Sequence, residues 1–322
     1  WRRQARVSRP HAYFGTLLLG TLLATGQLTA HGILPTHGTL QGFTLALAML
    51  PLVLLMLLPA SEAVVALVNR LISESTPPAH LSRLKLADGI PARAQTLVVV
   101  PALLNHTTGI DALVHRLLLH HLGNCEAHVQ FALLSDWCDA DTAQRPEDNR
   151  LLAHATEALT ALNHSHPPAP GQPPRFLLLH RARTHSTTQN KWLGWERKRG
   201  KLEQLVTALA THTPGPFLDL GALSQMAPHT RYILTLDSDT QLPPGRLRAL
   251  VGVAEHPQNR PVLDAGGRRV LRGYGILQPH LIPPLPTGGV QTPWQWLFAG
   301  QSGIDPYSAM SSDAYQDLFG EG

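Results

Sequence analysis

Apolar residues are distributed along this chain in two regimes. In the first 70 residues they form long runs. Residues 13–34 (YFGTLLLGTLLATGQLTAHGIL) are largely apolar and uncharged, and residues 43–68 (FTLALAMLPLVLLMLLPASEAVVALV) more so, with Glu62 the one acid. Both runs reach the roughly 20 residues a spanning helix needs, so the pattern predicts two transmembrane helices. A signal peptide or buried hairpin is the alternative for the first run, which His31, Gln27 and several threonines dilute. Arg2, Arg3, Arg6 and Arg9 precede the first run, Arg70, Arg83 and Lys85 follow the second, and the stretch between holds no Lys or Arg. The positive-inside rule then places both ends in the cytoplasm, with everything after about residue 72 facing the cytosol.

Beyond a polar, Pro-rich connector at 73–95 the period changes. Short β-branched or leucine-rich runs at 96–104, 129–136, 175–181 and 232–236 alternate with helical spacing at 110–123, 149–163 and 201–212, and a further helix follows LPPG at 242–245. Strands alternating with helices predict an α/β domain around a mainly parallel sheet, its strands buried on both faces. The expected organisation is a membrane region at 1–72, the linker, and an α/β domain from 96 to 322.

Charge and composition narrow the function. A net charge of +4 with 18 histidines describes a mildly basic surface, and no nucleic-acid-binding motif is present. Cys125 and Cys138 form no CxxC, which suits a reduced compartment and neither a disulfide framework nor a structural zinc site. His120 and His121 are helix neighbours that do not face one another. GGRRVLRGYG at 266–275 lacks the preceding strand and the lysine of a phosphate loop.

Four stretches carry candidate chemistry. YILTLDSDT (232–240) runs an apolar strand into Asp237 and Asp239. On an extended strand, side chains two apart point the same way, and two crowded carboxylates share a proton or a cation. At the carboxyl edge of a parallel sheet, Mg2+ or Mn2+ completed by phosphate oxygens answers that crowding; the alternative is a polar strand end that caps the next helix. WERKRGKL (195–202) sets Arg197, Lys198, Arg199 and Lys201 around Gly200 at a helix start, which suits a diphosphate or an anionic lipid surface. Trp192 and Trp195 beside it offer aromatic faces to a sugar or base, or core packing. FALLSDW (131–137) brings Asp136 to a strand end, where an acid accepts from a uracil or ribose donor or caps a helix. Finally, GQSGIDPYSAMSSDAYQDLFGEG (300–322) reads as a shaped polar loop, and Trp294 and Trp296 precede it. An acid at a strand end, then a basic helix start, then D-x-D at a second strand end is the layout of a GT-A-like nucleotide-sugar glycosyltransferase.

PASEAVVALVNRL, LADGIPARAQTLVVVPALL, FALLSDW, WERKRGKLEQL, YILTLDSDTQLP, GYGILQPH and the 300–322 loop resemble the glycosyltransferase part of cyclic β-1,2-glucan synthases, from about residue 55 to the end. The resemblance implies an inverting, UDP-glucose-dependent enzyme at the cytoplasmic face of a bacterial inner membrane. Its partners would be UDP-glucose, the growing β-1,2-glucan chain and the lipid bilayer, with no nucleic acid, and a C-terminal phosphorylase-like domain is expected in the full-length protein. It further implies that Asp136 contacts uridine, that Lys198, Arg199 and Lys201 contact the nucleotide diphosphate, and that Asp237 and Asp239 are the catalytic metal pair holding Mg2+ or Mn2+. Tyr307, ahead of Tyr274 and Tyr315, becomes the candidate glucan acceptor. The chain departs from the family in reading RTHSTTQNKW at 183–192 in place of an Arg-Trp-Asn-like stretch, and the family's general base is expected beyond Gly322. The alternatives are a membrane-tethered nucleotide-sugar-binding module without catalysis, or a D-x-D phosphotransferase.

Overall fold

A computed structural model describes residues 2–32, 43–75, 81–168 and 170–279. The chain divides into two units, one of residues 1–80 and 278–322 and one spanning Leu81–Leu277.

The first unit contains α1 (Arg2–Gly32) and α2 (Phe43–Ser75). They pack closely where Gly20 meets Val64, since a Cβ there would lie 2.8 Å from a Val64 methyl. Tyr13 donates to Asn69 Oδ1 at 2.8 Å. The described parts of both apolar runs are helical, but among the described residues no helix is long and apolar enough to cross a membrane. The two expected spans, and a multi-pass placement with them, are therefore not supported. Thr16, Thr21, Thr25, Gln27 and Thr29 break the apolar surface of α1, and Thr16 and Thr29 turn their hydroxyls back onto the helix carbonyls of Ala12 and Thr25. In α2 the apolar stretch is interrupted by Pro51 and Pro59, then by Ser61 and Glu62.

The second unit holds the expected α/β sheet, mainly parallel, between residues 81 and 277. Four parallel strands, β1 (Thr96–Leu104), β2 (Val129–Trp137), β3 (Phe176–Arg181) and β6 (Tyr232–Thr235), lie in the order β3-β2-β1-β6. Between β3 and β6 sit a short hairpin, β4 (Thr184–Ser186) with β5 (Lys191–Leu193), and then α5 (Arg197–Thr211). A second hairpin, β7 (Val262–Leu263) with β8 (Val270–Arg272), closes the unit.

Alternation builds two layers. Val98, Val100, Val129, Phe131, Leu133, Phe176 and Leu178 face one side, where α3 (Thr107–Gly123), α4 (Asp148–Ser165) and α6 (Arg246–Glu255) supply Leu117, Leu159 and Leu247. Leu97, Val99, Ala132, Leu134, Leu177 and Leu179 face the other, against Leu205 of α5. Each such leucine or phenylalanine contributes about 1.5–3 kcal/mol relative to exposure. Because both faces are apolar, hydrophobicity alone does not set the register. Polar residues at the strand ends do. Asp136 pairs in register with Arg181, and Ser135 with His180. By alternation the first pair lies on the α5 face and the second on the opposite face. A slip of one residue would drive Arg181 into the α3–α4 core.

The chain leaves β1 towards β2 and β3, then returns to place β6 on the other side of β1. This reversal is a topological switch point, where a crevice opens outside the carboxyl ends of the strands.

Candidate functional site

Three of the four candidate stretches converge at that edge. Asp136, next to last in β2, is buried, 2% exposed. Its carboxylate is filled from within the protein. Arg181 donates from Nε to Oδ1 at 2.6 Å and from Nη2 to Oδ2 at 2.9 Å, and Lys201 Nζ stands 3.2 Å from Oδ2. Arg181 and Lys201 are each 3% exposed. Arg181 also donates to Gln204 Oε1 at 2.5 Å, and Lys201 to the Ala102 carbonyl on β1 at 2.8 Å. Burial pushes Lys201 below the usual lysine range, and the Asp136 charge offsets part of that shift.

The basic segment lies inside the helix, because α5 opens at Arg197, four residues earlier than its apolar spacing suggests. Its start is strained. Glu196 and Arg197 both take left-handed backbone, φ 50° and 45°, conformations that cost non-glycine residues energy and persist where surroundings over-determine them. Gly200 lets the first turn fold back on itself, since a Cβ there would stand 2.1 Å from the Trp195 carbonyl oxygen. Gly194 lets the backbone lie on the ion pair, since a Cβ would meet Asp136 Cγ at 2.7 Å and Arg181 Nη2 at 3.1 Å.

From this turn Lys198 reaches out to pair with Asp237. The two acids of D-S-D are not on the strand. β6 ends at Thr235, and Asp237 and Asp239 occupy a turn closed by Thr240 N–H donating to the Asp237 carbonyl at 3.0 Å. The expected same-face strand geometry is thus replaced by an exposed turn at the carboxyl end of β6. Of the other basic residues, Arg197 pairs with Asp139 at 2.5 Å. Arg199 pairs with Glu203 at 3.0 Å and Glu196 at 3.3 Å, and lies over the Trp195 ring.

No family model matches the chain. Over 276 residues, 85% of its length, it is 41% identical to the cyclic beta-(1,2)-glucan synthase NdvB of Rhizobium meliloti (strain 1021). The chain matches one segment of a cyclic β-1,2-glucan synthase. The match covers 10% of NdvB, so the chain spans about a tenth of that relative's length. The resemblance carried by the long motifs is borne out by this likeness to NdvB.

The structure thus brings Lys198 to Asp237 and Lys201 to Asp136, leaves Arg199 among its own helix neighbours, and buries Asp136 between Arg181 and Lys201. Tyr307, Tyr315, Trp294 and Trp296 lie outside the described residues; Tyr274 is half exposed after β8. Among the described residues no group of three His, Cys, Asp or Glu forms a metal cluster. The exposed carboxylates of Asp237 and Asp239 are hard oxygen donors, a set that fits Mg2+ or Mn2+ when phosphate oxygens and water complete it. Arg181, Gln204 and Gly194 were not singled out by the sequence. The available signal was an arginine closing a leucine-rich strand, one strand over from an acid in the same position. A second such pair lies nearby: Arg183 grips Asp148 of α4, donates to the Cys138 carbonyl at 2.7 Å and covers the Trp137 ring.

Proposed function

We propose that this chain forms the donor site of an inverting glucosyltransferase that takes UDP-glucose and builds β-1,2-glucan. The observation that carries the reading is the meeting of Lys198 with Asp237 at the carboxyl edge of the sheet, in a chain 41% identical to NdvB. An ammonium and two carboxylates within reach of a switch-point crevice suit a diphosphate bound together with a dication. Asp237 and Asp239 would hold Mg2+ or Mn2+, which when bound neutralises charge on the departing UDP. On donor binding, Lys198 exchanges its carboxylate partner for a phosphate oxygen and stabilises the same developing charge. Asp136 supports the site from below, by fixing Lys201 and Arg181.

Calorimetric titration of UDP-glucose into the chain, with Mg2+ or Mn2+ and then with chelator, tests this. Binding that needs the dication and fails in Asp239→Ala and Asp237→Ala is expected. A chain that binds no nucleotide sugar under any of these conditions would refute the reading. Within the same proposal, Tyr307 is the glucan acceptor, checked by mass spectrometry for a hexosylated peptide containing it. The exposed Phe14, Leu18 and Leu22 of α1 and Leu54, Leu55 and Leu58 of α2 support association of that unit with lipid. A chain that stays at the bottom of a liposome flotation gradient would count against that association.

A further inference from the structure

Arg181 makes more contacts than an ion pair requires. Beyond its two bonds to Asp136 and one to Gln204, its Nη2 donates to two backbone carbonyls, Trp195 at 3.2 Å and Arg197 at 3.3 Å. Those carbonyls flank the two residues in left-handed backbone, Glu196 and Arg197. No side chain caps the N–H groups of this helix start; the guanidinium from β3 instead donates to the carbonyls of the strained turn. Asp136 holds that guanidinium from one side and anchors Lys201, three residues after Lys198 on α5, from the other. The strained turn is therefore gripped on its inner side while its outer side presents Lys198 to Asp237.

We propose that Arg181 is a positioning residue for donor binding: it holds the left-handed turn at the head of α5, and through that turn it aims Lys198 at the donor diphosphate. The proposal rests on the donor-site reading above. It requires an arginine. A planar fork can satisfy a carboxylate, an amide oxygen and two carbonyls together, whereas a lysine at the same place keeps the charge but has one nitrogen to share among them. Side chains that orient a ligand-contacting group commonly cost about 10- to 100-fold in affinity or activity when changed.

The test compares the full 322-residue chain with Arg181→Lys, using UDP-glucose titration and amide hydrogen exchange. The expected result is a donor affinity weaker by about tenfold or more, with faster exchange at residues 195–200 and unchanged protection in β1 and β2. Uniformly faster exchange across the sheet would mean a merely structural role and overturn the proposal. So would an Arg181→Lys chain with wild-type affinity and wild-type protection at 195–200. If that variant does not fold, Gln204→Met, which removes one grip and leaves the ion pair, decides in its place: unchanged exchange and affinity there overturn the proposal. Failure of the wild-type chain to bind UDP-glucose overturns the donor-site reading, while the exchange data still judge whether Arg181 holds the turn.

Discussion

Replacing Asp136 with alanine separates a ligand contact from a structural keystone. An acid waiting in solvent for uridine could be removed at little cost to folding. The structure instead puts the Asp136 carboxylate between Arg181 and Lys201, all three nearly sealed from water. Removing it leaves two cations buried without a counter-charge, and breaking a buried pair in this way costs about 3–5 kcal/mol. With a urea dependence of roughly 2–3 kcal/mol per molar for a unit of this size, the midpoint should fall by about 1–2 M. Trp137, Trp192 and Trp195 all lie in this unit and report its unfolding by fluorescence. The loss should also depend on pH in a defined direction. Lys201 already has a lowered pKa, chiefly through burial, with Asp136 opposing the shift. Without Asp136 it falls further, so native Lys201 sheds a proton that the unfolded chain keeps. Stability then rises with pH between the folded value and the ordinary lysine value. The variant's deficit should therefore shrink on the alkaline side. An Asp136→Ala chain with a wild-type midpoint at pH 7, within about 0.5 kcal/mol, would refute the buried-triad account.

Gly200→Ala should destabilise by about 1–3 kcal/mol, the range for forced overpacking. An alanine in a helix ordinarily gains up to about 1 kcal/mol over glycine, so a variant as stable as wild type in urea would show that the turn at Trp195 relaxes freely. Burial holds His180 down to about 4. Its contribution to stability is complete above the ordinary histidine value of 6.5 and is lost as pH falls from there to about 4. That loss is on the order of 3 kcal/mol, so His180→Gln should flatten the acid limb of the stability profile, and an unchanged limb would assign the loss to other groups.

The α/β domain was legible because β1, β2 and β3 each centre on a short apolar run, separated by helical periods, as strands buried on both faces do. The site was legible in its residue types and less so in its geometry. Asp136, Lys198, Lys201 and Asp237 do meet, but in two pairs at different depths. Nothing in WERKRGKL announces that α5 begins at Arg197 through two left-handed residues, since neither Glu nor Arg signals positive φ. That conformation is imposed from β3 by a residue 14 to 16 positions earlier. The D-S-D turn was misread as strand because alternation continues through Leu236, whose N–H still donates to the Val99 carbonyl at 3.0 Å. Length and hydropathy suggested spans for α1 and α2, where threonines and prolines interrupt the apolar surface.

One modest contact has consequences for redesign. The main chains of Ala140, after β2, and Trp192, in β5, exchange two hydrogen bonds, 2.9 and 2.8 Å. These join the segment following Asp136 to the hairpin that leads into the basic turn. Grafting either segment alone from a homologue would bring in one half of a seam. The two must be transplanted as a single cassette.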